Sequence, residues 1–149
     1  MTWQVMEPRS PGFYPAGHRS FAGNRTEKEA MNPKLIADAY IDTWNEGDAR
    51  KRGLLFDEHW TDDARYEDPL MQGEGVGAIG ALADAVRERF PGFRFQLRGD
   101  ANGHGRYVRL AWSLGPAGQV APIEGSDVIE PHNGRISRVI GFIDRAPTA

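Results

Sequence analysis

Three polar residues fall where apolar residues are expected, and they are the residues of this chain best suited to chemistry. Tyr40 lies on the apolar face of a predicted helix, among Ile36, Ala39, Thr43 and Trp44 at spacings of three and four. Asp68 closes the stretch Trp60-Thr61-Asp62-Asp63-Ala64-Arg65-Tyr66-Glu67-Asp68-Pro69. That stretch reads as a polar turn feeding a short strand, which Pro69 ends because it has no N–H to donate. Alternation puts Ala64, Tyr66 and Asp68 on one face and Arg65 and Glu67 on the other. Asp127 shares a strand face with Gly125 and Ile129. A carboxylate aimed into apolar surroundings is costly unless it is paired or used, and its natural use is acid–base chemistry. Each residue also admits a plainer account: a core tyrosine with a satisfied hydroxyl, a loop-capping aspartate, and an aspartate facing solvent.

The elements that must position them follow from caps and periodicity. Asn32-Pro33 starts a helix that Gly47 stops, and Asp48 can cap a shorter helix through Leu54, Leu55 and Phe56 to about His59. After the Tyr66–Asp68 strand and a glycine-rich turn, Ile79, Leu82, Ala83, Val86 and Phe90 form a helical stripe ended by Pro91-Gly92. The period then switches from helical to alternating. Strands are expected at residues 93–97, 106–114, 120–129 and 135–144, separated by Asn102-Gly103-His104-Gly105, Pro116-Ala117-Gly118 and His132-Asn133-Gly134. Helices followed by one-sided strands give an α+β fold, in which a curved, mixed or antiparallel sheet wraps over three helices and encloses a conical cavity.

Composition narrows the field. The 149 residues suffice for one domain with a real core, and 40% hydrophobic with 26% charged residues is a globular composition. A net charge of −3 argues against a nucleic-acid groove or an anionic membrane surface as partner. No apolar run approaches the roughly 18 residues of a membrane span. There is no cysteine, which excludes disulfides, thiolate metal sites and cysteine nucleophiles and fits a reducing cytoplasm. Residues 1–30 are rich in proline, glycine and arginine and lack periodicity, so they read as a flexible or loosely docked tail before a domain at 31–149. Trp3, Phe13, Tyr14 and Phe21 give that tail a means of packing on the domain or on a partner subunit. The Asn24-Arg25-Thr26 sequon is discounted without a signal peptide.

Other motifs carry little. Gly75-x-Gly77-x-x-Gly80 matches a dinucleotide fingerprint, but the preceding strand is cut by Pro69 and the following one is half-polar. These glycines suit a tight loop and close packing of a helix start. His18, His59, His104 and His132 show no metal-ligand spacing, and there is no Gly-x-Ser-x-Gly elbow. Neither a metal nor a cofactor is expected.

The run from Tyr40 to Asp48, the stretch Phe56…Trp60-Thr61-Asp62-Asp63-Ala64-Arg65-Tyr66-Glu67-Asp68-Pro69 and Gly134-Arg135-Ile136 together resemble the nuclear transport factor 2-like superfamily, within it the SnoaL-like polyketide cyclases and ketosteroid isomerases. The likeness covers residues 32 to 144. It implies a proton-transferring enzyme for a small hydrophobic carbonyl compound, and the isomerase is a known worked case of such chemistry. By motif, Asp68 falls on the base, while Tyr40 and a protonated Asp127 fall on the groups that hold the enolate oxygen. Glu124, in Ala121-Pro122-Ile123-Glu124, competes with Asp127, but alternation puts it on the opposite face. In the cyclases the acid/base aspartate lies on this same strand. Trp44, Phe56, Trp60, Tyr66, Phe90, Trp112 and Phe142 are expected to line the cavity and bind the ligand. The fold also serves limonene-type epoxide hydrolases, whose Arg-x-Asp pair is missing here because Leu110 and Ala111 follow Arg109. It serves non-catalytic binding and dimerisation as well. A homodimer is expected through the outer sheet face carrying Tyr107, Arg109 and Ser113.

Overall fold

The computed structural model describes residues 32–147. The tail at 1–30, with its aromatic residues, its sequon and His18, lies outside them. Helix α1 spans Pro33–Asn45, and Asn32 caps it by accepting from the backbone N–H groups of Lys34 and Leu35. Helix α2 spans Ala49–His59 and is capped by Asp48, which accepts from Lys51 N. Helix α3 spans Val76–Arg89. Gly75 precedes it at φ 85°, a conformation that favours glycine, and Gly80 lets the ring of Phe56 approach. Two of the three glycines of the apparent dinucleotide motif thus serve the loop and the packing of α3.

The strands are β1 Trp60–Glu67, β2 Gln72–Glu74, β3 Phe93–Leu97, β4 Asn102–His104, β5 Tyr107–Pro116, β6 Ile123–His132 and β7 Arg135–Arg145. They form one mixed sheet in the order β2-β1-β7-β6-β5-β3, with β4 folded onto β5. Every pairing is antiparallel except β1 with β7. The α+β expectation holds, and the sheet stays open rather than closing into a barrel. Its inner face presents Val108, Leu110, Trp112 and Leu114 from β5 and Ile123, Asp127 and Ile129 from β6 to the buried stripe of α1. The indole of Trp112 lies so close over Gly125 that no side chain would fit there.

Two expectations about strands need correction. Trp60 begins β1 directly after α2 rather than opening a turn. It is fully buried, and its indole N–H donates to Thr43 Oγ1 at 3.0 Å. Its register partner on β7 is Ile136, whereas Arg65 already faces Arg138, so the residues between them bulge and leave Asp62 and Asp63 exposed. Phe142 does not line the cavity; it is 53% exposed on the outer face. Glu130 pairs with Arg138 but Pro131 pairs with Ile136, which leaves Ser137 as an extra residue on β7. Pro131 has no N–H for the ladder, and the bulge beside it reverses which residues point inward. Ile136 is followed inward by Val139, Gly141 and Ile143 instead of by even-numbered positions.

Candidate active site

Between the inner sheet face, α1 and the C-terminal half of α3 lies a cavity of about 650 Å³, a size suited to one small organic ligand. Trp44, Tyr66, Phe90 and Trp112 line it as expected, together with Tyr40, Asp68 and Asp127. Phe56 and Trp60 do not. They pack edge to face at 5.3 Å as buried core beside α2 and α3. Aromatic character predicts burial for both kinds of position, and only the packing of the helices decides which rings meet a ligand. Phe95, Met71 and Arg89 also line the cavity and were not singled out from the sequence.

Tyr40 and Asp127 form its buried end. The phenol of Tyr40 donates to Asp127 Oδ2 at 2.6 Å, and each residue is only 2% exposed. Asp127 Oδ1 has no hydrogen-bond partner among the described residues. The indole of Trp112 eases its charge without reaching hydrogen-bond geometry. Burial pushes the Asp127 carboxyl up to about 6, against the pull of the Tyr40 hydrogen bond, and the charge of Asp68 adds to the rise. Glu124 is excluded from this site. It lies on the outer face, ion-paired to Arg98 at 3.0 Å and to Arg145 at 2.8 Å.

Asp68 is placed differently from the expected strand residue. β1 ends at Glu67, and Asp68 opens a tight turn in which its N–H donates to Met71 O at 2.9 Å. Its Oδ1 accepts from the backbone N–H groups of Leu70 (2.7 Å) and Met71 (2.9 Å), while Oδ2 accepts from the Tyr66 phenol at 2.6 Å. Asp68 is therefore both a turn cap and a cavity residue. Burial, followed by the charge of Asp127, pushes the Tyr40 and Tyr66 phenols far above the usual tyrosine range, so both stay protonated donors at any working pH.

Gly141 on β7 is where these groups meet. A β-carbon there would stand 2.8 Å from Asp127 Oδ1, 3.2 Å from Asp68 Cβ and 3.4 Å from Tyr66 Oη. Gly141→Ala is expected to push the Asp127 carboxyl aside and to cost about 1–3 kcal/mol by overpacking. Thermal melting of the variant checks this. Among the described residues no cluster of His, Asp and Glu could hold a metal ion, and no helix is long and apolar enough to cross a membrane.

A curved mixed sheet over three helices, with polar groups gathered at the closed end of an apolar cone, defines the nuclear transport factor 2-like class of folds, to which solved structures with this fold also belong. A SnoaL-like domain model matches residues 37–139, and the chain belongs to that family. A solved structure of a proposed isomerase of the SnoaL-like family from Agrobacterium tumefaciens is 42% identical, with a TM-score of 0.71, covering 76% of this chain and 99% of that one. A proposed SnoaL-like polyketide cyclase from Jannaschia is 17% identical, with a TM-score of 0.62 over 81% of this chain and 90% of that one. A proposed ketosteroid isomerase from Kribbella flavida is 20% identical, with a TM-score of 0.58 over 78% of this chain and 81% of that one. The latter two likenesses are of fold. No curated protein is significantly similar to the chain.

Proposed function

We propose that this protein is a cofactor-independent enzyme that moves a proton on a small, flat, hydrophobic carbonyl compound, as an isomerase or a cyclase does. The observation that carries this reading is the buried Asp127–Tyr40 pair lining a mostly apolar cavity. An acid–base group works best when its pKa lies near the working pH, and Asp127 is pushed to about 6. The oxygens of Asp68 are already engaged by two backbone N–H groups and a phenol, in a turn-anchoring role. The division of labour we favour is therefore the cyclase-like one. Asp127 takes the proton next to the carbonyl. As it becomes protonated it accepts less strongly from Tyr40, freeing that phenol to meet the charge developing on the substrate oxygen. Asp68 fixes Tyr66 and the turn at the cavity edge. The SnoaL-like family and the 42% identical isomerase-named relative support the reaction class. The test is proton exchange next to the carbonyl of 2-tetralone in deuterated buffer, followed by NMR. The enzyme is expected to accelerate it over buffer, and a ligand that binds without exchange would make the cone a binding module.

We also propose a homodimer through the outer sheet face. Phe142, paired with Ser126, joins Val128 and its register partner Ile140 in an apolar patch beside the expected Tyr107–Ser113 face of β5. In sedimentation at micromolar concentration, the wild type is expected to run as a dimer and Phe142→Asp as a monomer. A monomeric wild type would contradict this.

A further inference from the structure

The cavity has a charge axis. Of the described residues lining it, only Asp68, Asp127 and Arg89 carry charge at neutral pH, and Arg89 is the sole cation among them. Asp127 occupies the buried end, whereas Arg89 stands exposed on the last turn of α3, at the open side that it shares with the exposed Leu70. The neighbouring Arg87 donates to Asn45 O at 3.2 Å and so ties the end of α3 to α1. Arg89 has no such task. Its guanidinium lies 5.9 Å from the ring centre of Phe90, itself a cavity wall, and it makes no ion pair with any described residue. A planar guanidinium backed by an aromatic ring keeps its outer edge free for two parallel hydrogen bonds, the geometry that fits a carboxylate.

We infer that the substrate is amphipathic, an apolar carbonyl compound bearing a carboxylate, which Arg89 binds at the cavity mouth. This rests on the reading of the cavity as a site for a carbonyl substrate and adds its second functional group. The electrostatics also set the orientation. Asp127 repels a carboxylate from the buried end and Arg89 attracts it to the mouth, so the neutral carbonyl end is the one that enters. A wholly neutral substrate would have no such guide and could bind in either direction.

The test uses binding rather than turnover, so that its outcome is independent of whether the cavity catalyses proton transfer. Isothermal titration at pH 8 and low salt compares 2-naphthoate with 2-naphthamide, a neutral probe of the same size. The wild type is expected to bind the naphthoate about ten-fold more tightly than the amide, and Arg89→Gln to abolish that preference by weakening the naphthoate alone. Arg109→Gln, on the outer sheet face, should keep the preference, which separates a site from general attraction to surface arginines. Circular dichroism checks that each variant is folded. Equal affinity of the wild type for the two probes, no naphthoate binding at millimolar concentration, or an unchanged preference in Arg89→Gln would each overturn the inference.

Discussion

Asp127→Asn is expected to slow proton exchange on 2-tetralone by roughly 10²- to 10⁴-fold, the range that a positioned acid–base group supplies. Asparagine keeps the size of the side chain and an oxygen that can still accept from Tyr40, so the cavity and its ligand affinity should survive while the proton carrier is lost. The loss should therefore appear in kcat rather than KM. Asp68→Asn provides the contrast. The substituted side chain retains an oxygen for the backbone N–H groups of Leu70 and Met71, which anchor the turn, and the effect should stay within about ten-fold, well below the general-base range. The reverse ranking would return the base to Asp68, as the ketosteroid isomerase resemblance has it.

The second large effect is on stability. Asp127 has its folded pKa raised from 3.8 to about 6. A carboxyl raised on folding favours the folded state most fully below its unfolded pKa, and that contribution is lost as pH climbs through the folded value. Between pH 4 and pH 7 the loss amounts to about 2 kcal/mol. For a domain of this size that is a fall of about 5–10 °C in Tm. Other carboxylates titrate in the same window, so the informative quantity is the difference between the wild type and Asp127→Asn. Melting temperatures taken from pH 4 to pH 7 should show the wild type losing ground to the variant as pH rises. A difference that does not change with pH would mean that Asp127 titrates as an ordinary surface carboxylate.

Much of this fold was legible because its signals are local. Asn32 and Asp48 cap helices where their side chains can reach the first free N–H groups, and the alternation of β6, and of β5 as far as Leu114, survives folding. Asp127 and Tyr40 followed from those periodicities, and so did the rejection of Glu124. Where the reading failed, the deciding contact was distant in sequence. Phe142 faces outward because of a bulge opposite Pro131 on another strand. Phe56 and Trp60 belong to the core because α2 packs against α3, which no single-helix pattern reveals. The parallel pairing of β1 with β7 joins the first strand to the last. Asp68 shows a subtler failure: alternation pointed it toward the cavity, which it does line, but the four-residue turn from Asp68 to Met71 fixes how its oxygens are used. Arg89 gave no signal at all, since a basic residue in a last helical turn is already accounted for by the helix dipole.

In the proposed reaction a substrate oxygen binds at the buried end of the cone beside Asp127 and Tyr40. The most direct measurement is a crystal structure with 2-naphthol, a flat phenol that mimics the enolate of 2-tetralone. The naphthol oxygen is expected within about 2.6–3.2 Å of the Tyr40 or Asp127 side-chain oxygens, with the rings stacked among Trp44, Phe90 and Trp112. A naphthol whose oxygen points to the mouth, or which binds outside the cone, would contradict it.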